Sequence, residues 1–213
     1  MKYGELPQEL GLFEVECKEM MFYQYLPIKM ACSEVKSLIY EPRLACFDEI
    51  IHASCVDYIN EFGIEDYANS YVYLTAKYLY QAPNTSFNRM GWHADGFMTD
   101  DINYIWCDKF PTIFNNSEFN LTLDDTLSMK EMEEQAKITN DICYKENELL
   151  RLNQYNIHRV DPNTQAGMRA FVKVSFSKDK YDLIGNSHNY LIDYDWKMKS
   201  RKDERNIPQS EIK

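Results

Sequence analysis

The feature that most constrains this chain is a change in the period of its apolar residues near residue 70. Between residues 44 and 62 apolar side chains recur every three to four positions, and Gly63 follows where a helix would end, so a helix is predicted there. From Ser70 to Tyr80 the period is two and the residues are rich in Tyr, Val, Leu and Thr, which predicts a strand. Further strands are predicted over residues 103–107, 112–123, 148–160 and 169–177, and a short helix over 128–136. A helix followed by many short strands indicates a mainly β, α+β domain with helices on the outside of a sheet.

A chain of 213 residues suits a single domain. We divide it into a partly helical N-terminal support (1–68), a β core (69–180) and a C-terminal extension (181–213), whose charged tail from Lys199 is expected to be loose. The predicted strands 148–160 and 169–177 are expected to pair as a hairpin with a long turn. Ser128, with Glu131 three residues later, fits a capping box at the start of the second helix.

Composition narrows the class of protein. The formal net charge of −11 argues against a general nucleic-acid binder, because phosphate binding needs Lys and Arg. The N-terminus has no basic start followed by an apolar segment, and no apolar run reaches the roughly 18 residues that span a membrane. We therefore expect a soluble, cytoplasmic protein without a membrane partner. Six cysteines without a CxxC pair indicate reduced thiols.

The sequence Gly91-Trp92-His93-Ala94-Asp95-Gly96-Phe97 carries the first chemical signal. If this backbone is extended, residues two apart point to the same face, so His93 and Asp95 present a nitrogen and a carboxylate side by side. Gly91 and Gly96 leave room for close approach. The pair predicts two ligands of a metal ion, and a third ligand must come from elsewhere in the chain.

His158 is the natural third ligand, because it ends a predicted strand. Two histidines and one carboxylate on one face of a metal form the facial triad of non-heme iron(II) oxygenases. Such a triad leaves three adjacent positions, enough for a bidentate co-substrate and O2. Zinc accepts the same ligands but usually keeps one open position, so the ligand set alone leaves the metal open.

The predicted strand after His158 has two different faces. Ala170, Val172, Val174 and Phe176 form an apolar face that should pack against the rest of the protein, whereas Arg169, Phe171, Lys173 and Ser175 share the other face. Polar residues on the inner face of a sheet need a partner, and an anionic ligand would supply one. Arg169 can hold a carboxylate through two parallel hydrogen bonds, and Ser175 can add a hydroxyl.

The order His-x-Asp, a distant His and then an Arg about ten residues later resembles the iron(II)/2-oxoglutarate-dependent dioxygenase superfamily. The resemblance covers residues 70–180 and implies a double-stranded β-helix, the cupin-like jelly roll, as the core over 69–180. It implies that His93, Asp95 and His158 bind iron(II) and that Arg169 binds the far carboxylate of 2-oxoglutarate. Candidates for a second contact to that carboxylate are Tyr80, Tyr78 and Ser175. Phe171 stands where one large branch has the Ser of an Arg-x-Ser pair, so that branch's contact is not carried over.

The resemblance implies an enzyme that uses O2 and 2-oxoglutarate to hydroxylate a substrate, with release of succinate and CO2. A small molecule is favoured as the substrate by the compact size and acidic charge. A protein side chain is a second class, and a nucleic-acid base is disfavoured because basic stretches near the site are absent. A metal-binding jelly-roll module without oxygenase activity, or a sensor, is the alternative.

The remaining candidate residues are expected to have structural roles or to lie at the surface. His52 in the predicted helix is expected to be a surface or structural residue. His188 is expected in a loop, with a place at the mouth of the site as the alternative. The aromatic residues that flank the predicted metal ligands are expected to shape the pocket or, equally, to pack in the core; they are Trp92, Trp106 and Phe97. The doublet Asp100-Asp101 is expected in a solvated turn.

Overall fold

The computed structural model describes residues 2–32, 38–85, 89–162 and 164–200, and this part of the chain contains nine strands and three α-helices. The strands are β1 (Gln8–Leu12), β2 (Met21–Lys29), β3 (Tyr71–Gln81), β4 (Ile102–Cys107), β5 (Ile113–Asn115), β6 (Asp141–Cys143), β7 (Glu148–Leu152), β8 (His158–Arg159) and β9 (Gly167–Ser177). The helices are α1 (Asp48–Phe62), α2 (Ile64–Ala68) and α3 (Asp125–Gln135), with 3-10 turns at Pro42–Phe47 and Ile138–Asn140.

The strands form two antiparallel sheets. The larger sheet has the order β1-β7-β4-β9-β3-β2, and the smaller has the order β6-β5-β8. A bridge between His93 and His158 adds one more segment beside β8. From β3 onward the chain moves back and forth between the sheets, because β3, β4, β7 and β9 lie in the larger sheet while the His93 segment, β5, β6 and β8 lie in the smaller one. The predicted mainly β, α+β architecture is confirmed.

Strand β9 shows how the sequence pattern positions the larger sheet. Its predicted apolar face, from Ala170 to Phe176, is at most 2% exposed and belongs to the main core together with α1. The Phe176 ring stacks on Tyr58 of α1, with the ring centroids 4.1 Å apart. Burial of one such aromatic side chain stabilises the fold by about 1.5–3 kcal/mol. The opposite face of β9 therefore turns toward the smaller sheet.

Helix α1 covers the outer face of the larger sheet, and its predicted range of 44–62 is confirmed apart from the first turn. That turn is 3-10 and buries Leu44 and Phe47, and the α-helical part starts at Asp48. Gly63 ends the helix with a φ of 91°, a conformation that favours glycine. Because this helix covers one face of the larger sheet, the opposite face is the one available for a binding site.

The predicted hairpin between strands 148–160 and 169–177 is wrong. The first range contains two strands, β7 and β8, which lie in different sheets, and β8 pairs with β5 rather than with β9. Between them Asn156 Oδ1 accepts a hydrogen bond from the backbone N–H of Asn153 (2.7 Å), and Asn153 Oδ1 accepts one from that of Tyr155 (2.9 Å). Asn side chains that bond nearby backbone groups replace the strand ladder with a turn, and here the turn carries the chain to the other sheet.

Two other boundaries differ from the predictions. The strand predicted over 112–123 ends at Asn115, whose Oδ1 accepts a hydrogen bond from the backbone N–H of Ser117 and so forms a turn. Helix α3 begins three residues before the predicted cap, because Asp124 Oδ1 accepts from the N–H groups of Thr126 and Leu127. Ser128 lies inside the helix and the predicted capping box is wrong.

The terminal regions join the same structure. Strands β1 and β2 form the two edges of the larger sheet, and Pro27 lies within β2, where an edge position tolerates a missing N–H. In the C-terminal extension, Asn189 Nδ2 donates to the carbonyls of Pro27 and Ile39. Residues 201–213, most of the tail that we expect to be loose, lie outside the described residues. Within the described ranges, every helix is too short or too polar to cross a membrane.

Candidate metal centre

The backbones of His93 and His158 hold the centre of the site together. Each residue donates its N–H to the carbonyl of the other at 2.9 Å, which joins the His93 segment to β8. Because the backbones pair, the two imidazole rings lie close together, with their centroids 4.5 Å apart. Residues 65 positions apart in the sequence thus present their imidazoles side by side, as the sequence predicts.

The hydrogen bonds of both imidazoles favour metal binding. Nδ1 of His93 lies 2.9 Å from the Gly91 carbonyl, and Nδ1 of His158 lies 2.9 Å from the Asn156 carbonyl. A carbonyl only accepts, so each Nδ1 carries the proton and each Nε2 keeps its lone pair. Burial, and then the neighbouring His158, lowers the pKa of His93 to about 3. Burial also lowers the pKa of His158, so both rings are neutral near pH 7.

Asp95 completes the set. Its Oδ2 lies 3.9 Å from His158 Nε2, and one ligand atom from each of His93, Asp95 and His158 lies within 4.8 Å of the others. Burial opposes ionisation of Asp95, but Lys173, His158 and His93 together outweigh it and hold the pKa of Asp95 below its usual range. Two neutral imidazole nitrogens and one carboxylate fit a divalent transition metal such as iron(II) or zinc.

Gly96 sets the position of Asp95. Its φ is 68°, and a Cβ at this position would lie 2.8 Å from Thr99 Oγ1 and 3.0 Å from Asp101 Cβ. A larger residue at this position would push the turn away from Thr99 and Asp101. Gly96 is expected from the sequence to allow a close approach, and in the structure that approach is between the turn and these two residues.

A cavity of about 910 Å³ opens beside the three residues, between the two sheets. His93, Asp95 and His158 line it from one side, and the inner faces of β3 and β9 line it from the other. The C-terminal extension closes part of the wall through Tyr181 and Asn186. The arrangement brings a ligand in the cavity into contact with the metal and with the inner face of the larger sheet.

Two lysines of the larger sheet face this cavity, and sequence reasoning missed both as site residues. Lys173 Nζ donates to Asp95 Oδ2 (3.0 Å) and to the Tyr25 hydroxyl (3.1 Å). Burial, followed by the charges of Lys173 and Arg169, lowers the pKa of Lys77 to about 8. The available signal was the period of two, which places Lys173 on the polar face of β9 and Lys77 on the matching face of β3.

Backbone carbonyls hold the guanidinium of Arg169. Arg169 is 5% exposed, and its guanidinium donates to the carbonyls of Lys109 (Nε, 2.7 Å) and Phe110 (Nη2, 3.0 Å) in the loop after β4. Among the described residues, those that line the cavity include Lys77 and Lys173 but not Arg169. The charge of Arg169 acts on Lys77, which does line the cavity. The predicted contact of Arg169 to a co-substrate stays a prediction.

The candidates for a second carboxylate contact are also placed elsewhere. Ser175 Oγ donates to Asn103 Oδ1 at 2.6 Å. Tyr80 is 59% exposed, and Tyr78 packs against the main core on the α1 side of the sheet. Among the described residues that line the cavity, none of these three occurs.

The other aromatic and histidine candidates occupy different places in the structure. Phe97 lines the cavity, whereas Trp92 and Trp106 are buried in two different core clusters. His52 is exposed on α1, as expected. His188 packs against the rings of Tyr190 and Tyr194 in the C-terminal extension; they are 4.7 Å and 4.5 Å away.

Comparison with known proteins adds little to this geometry. No model of a protein family matches the chain, and no curated protein matches it. Among solved structures, the crystal structure of EvdO2 from Micromonospora carbonacea var. aurantiaca is similar over 64% of this chain and 60% of its own, with 14% sequence identity and a TM-score of 0.39. The chain thus spans less than two thirds of that structure.

Proposed function

We propose that the protein is an iron(II)- and 2-oxoglutarate-dependent oxygenase whose metal is held by His93, Asp95 and His158. The observation that carries the proposal is the assembled triad: both Nε2 atoms keep their lone pairs and converge with the Asp95 carboxylate at one wall of a cavity. This is the facial ligand set of non-heme iron(II) oxygenases. Zinc in the same ligands is the second candidate metal.

The fold that we propose for the core is the double-stranded β-helix. An eight-stranded jelly roll has two facing sheets, and its chain passes repeatedly between them. The strand order β3-β9-β4-β7 in one sheet and His93 segment-β8-β5-β6 in the other supports this assignment. The strands β1 and β2 then extend the larger sheet beyond the eight.

Lys173 and Lys77 support a co-substrate with two carboxylates. In the register of β3 and β9, Lys77 faces Phe171 and Thr75 faces Lys173, so the two lysines occupy diagonal positions. Diagonal neighbours in a sheet lie about 7–8 Å apart, a spacing that suits the two ends of a five-carbon dicarboxylate. We propose that Lys77 binds the far carboxylate and that Lys173 faces the end nearest the metal. Arg169 is the second candidate for the far carboxylate.

The protein's own contribution is to position and to shield the reacting groups. The Lys173 ammonium holds Asp95 ionised and fixes its carboxylate, and the carbonyls of Gly91 and Asn156 fix the ring orientation of the two histidines. When bound, iron(II), 2-oxoglutarate and O2 supply the oxidising chemistry, with release of succinate and CO2. Burial of His93 and His158 limits the access of bulk water to the reacting groups.

A small molecule is the proposed class of substrate. The cavity lies between two sheets and is partly closed by the C-terminal extension, which favours a ligand of limited size over a folded protein or a duplex. The net charge of −11 disfavours nucleic acid. A metal-binding module without oxygenase activity remains the competing function.

Succinate release separates these two functions. Purified protein is reconstituted with iron(II) without oxygen, 2-oxoglutarate is added, and the visible charge-transfer band is recorded before air is admitted. An oxygenase gives the band and then releases succinate, slowly even without substrate. Stoichiometric iron without a band, and without succinate, would support the module that only binds metal.

A further inference from the structure

A second charged group in the cavity wall is not used by the metal centre. Asp101 lines the cavity and is only 5% exposed, so the expectation of a solvated turn is wrong for Asp101, whereas Asp100 is exposed. Its Oδ2 accepts one hydrogen bond, from the Tyr181 hydroxyl at 2.8 Å. Within the described ranges of the chain, no Lys, Arg or His forms an ion pair with it.

The charge of Asp101 is not explained by its contact with Tyr181. A carboxylate buried without a counter-charge is costly, and proteins normally pair such a group or replace it. An amide oxygen of Asn would accept the Tyr181 hydroxyl equally well, without the cost of the charge. A carboxylate in this position therefore indicates that a ligand in the cavity supplies the opposite charge.

The surroundings of Asp101 suit a cation. The Tyr181 ring, whose hydroxyl bonds Asp101, meets the edge of Tyr25 at 5.0 Å and stacks on Tyr73 at 4.1 Å. Both Tyr25 and Tyr181 line the cavity. Aromatic rings beside a carboxylate stabilise amino, guanidino and quaternary ammonium groups. The Lys173 ammonium already lies over the Tyr25 ring, 4.9 Å from its centroid, so the aromatic contact to a cation at Asp101 comes from Tyr181.

Asp101 lies beside the turn that carries Asp95, and the rings of Tyr181 and Tyr25 connect it to Lys173. It contacts the turn at Gly96, the residue that follows Asp95. On β4, Ile105 is the partner of Lys173, and Asp101 precedes it by four residues, about 13 Å along an extended chain. Lys178 and Lys199 also line the cavity near Tyr181, but they pair with Asp66 and Asp182 rather than with Asp101. Lys180 lines it as well and lies over the Trp196 ring.

We propose that Asp101 is a substrate-binding residue and that the substrate is a small molecule with a cationic amino, guanidino or quaternary ammonium group. This proposal rests on the proposed oxygenase function. The dianionic co-substrate binds at Lys77, and the cationic group of the substrate binds at Asp101. The opposite charges keep each ligand out of the other's place, and the carbon to be oxidised lies between them, over the metal.

The test uses pairs of probes that match in shape and differ in charge. The pairs are butylguanidine with butylurea, pentylamine with pentan-1-ol, and choline with 3,3-dimethylbutan-1-ol. Binding to full-length protein loaded with iron(II) and 2-oxoglutarate is measured by calorimetry without oxygen. We expect the cationic member of at least one pair to bind at least about tenfold more tightly than its neutral partner.

Two variants locate the source of this preference. Asp101→Asn keeps an acceptor for the Tyr181 hydroxyl and removes the charge, so the preference should fall about tenfold or more. Asp182→Asn is the matched control, because Asp182 also lines the cavity but already pairs with Lys199 at 2.9 Å. It should keep the preference.

The proposal is overturned if no pair shows a preference in the wild-type protein, a result that does not depend on how any variant folds. It is also overturned if Asp101→Asn keeps the preference, or if Asp182→Asn loses it equally. The charge-transfer band of iron(II) with 2-oxoglutarate, recorded on the same samples before any probe is added, tests the proposed function separately. A normal band with no preference for cations contradicts only the role of Asp101.

Discussion

Lys173 and Asp95 form a buried ion pair, Nζ to Oδ2 at 3.0 Å, where the metal centre meets the cavity. The pair joins β9 of the larger sheet to the segment that bridges the smaller sheet. It has two consequences, since it keeps a metal ligand ionised and places an ammonium group beside the open side of the metal. Both consequences can be tested.

Lys173→Met should destabilise the metal-free protein by about 3–5 kcal/mol, because it leaves the buried Asp95 carboxylate without its counter-charge. A divalent metal replaces the missing charge, so addition of iron(II) should raise the free energy of unfolding more in the variant than in the wild type. Urea unfolding with and without metal measures both values. Lys178→Met is the control: Lys178 is 47% exposed and pairs with Asp66, so its loss should cost about 0–1 kcal/mol. Equal losses in the two variants would contradict the role of Lys173.

Lys77→Met should weaken 2-oxoglutarate binding about 10- to 100-fold while iron still binds, because a charge-assisted hydrogen bond contributes about 1.5–3 kcal/mol. Arg169→Met is the comparison, since the Arg169 guanidinium already donates to two backbone carbonyls. Titration of the charge-transfer band gives both affinities. If Arg169→Met lost more 2-oxoglutarate affinity than Lys77→Met, the far carboxylate would be assigned to Arg169 instead.

The affinity for 2-oxoglutarate should fall as pH rises through about 8. Burial and the charges of Lys173 and Arg169 lower the pKa of Lys77 to about 8, so the ammonium that binds the anion is lost above that pH. The same shift makes the folded protein gain stability from this group between about pH 8 and pH 10.5, where the unfolded chain still binds the proton. Dissociation constants at about pH 7 and about pH 9 test the prediction. In Lys77→Met the pH dependence should disappear, and its persistence would assign it to another group.

Phe176→Ala should cost about 3–5 kcal/mol of stability, because it removes a ring that is 1% exposed and stacks on Tyr58. Tyr190→Ala, at a side chain that is 84% exposed, should change stability by no more than about 0.5 kcal/mol. Thermal or urea unfolding compares the two. A small effect of Phe176→Ala would contradict the packing of α1 on the larger sheet.

The sequence was sufficient to pick out the three residues that the structure groups together as candidate metal ligands, and to identify one face of the sheet. A His-x-Asp spacing in extended backbone puts both groups on one side, and the alternation in β9 separates its core face from its inner face. Neither pattern identifies which loop will form hydrogen bonds with a given side chain. Phe110 adopts a φ of 52° in the loop after β4, and the carbonyls of this loop reach Arg169.

Tertiary placement explains the remaining differences. Asp101 belongs to an acidic doublet that is typical of a turn, yet it is buried because Tyr181, 80 residues later, packs over it. The strand predicted over 148–160 is interrupted because Asn153 and Asn156 bond the local backbone. Contacts between distant segments, and competition from side chains for backbone hydrogen bonds, are not encoded in the period of apolar residues.

The central claim is that His93, Asp95 and His158 bind one ferrous ion. Titration of iron(II) without oxygen into the wild type, His93→Ala, His158→Ala and the control His188→Ala tests it directly. The account predicts one ferrous ion per chain in the wild type and in His188→Ala, and no stoichiometric binding in the other two variants. Full iron binding in His93→Ala or His158→Ala, or its absence from the folded wild-type protein, would contradict the claim.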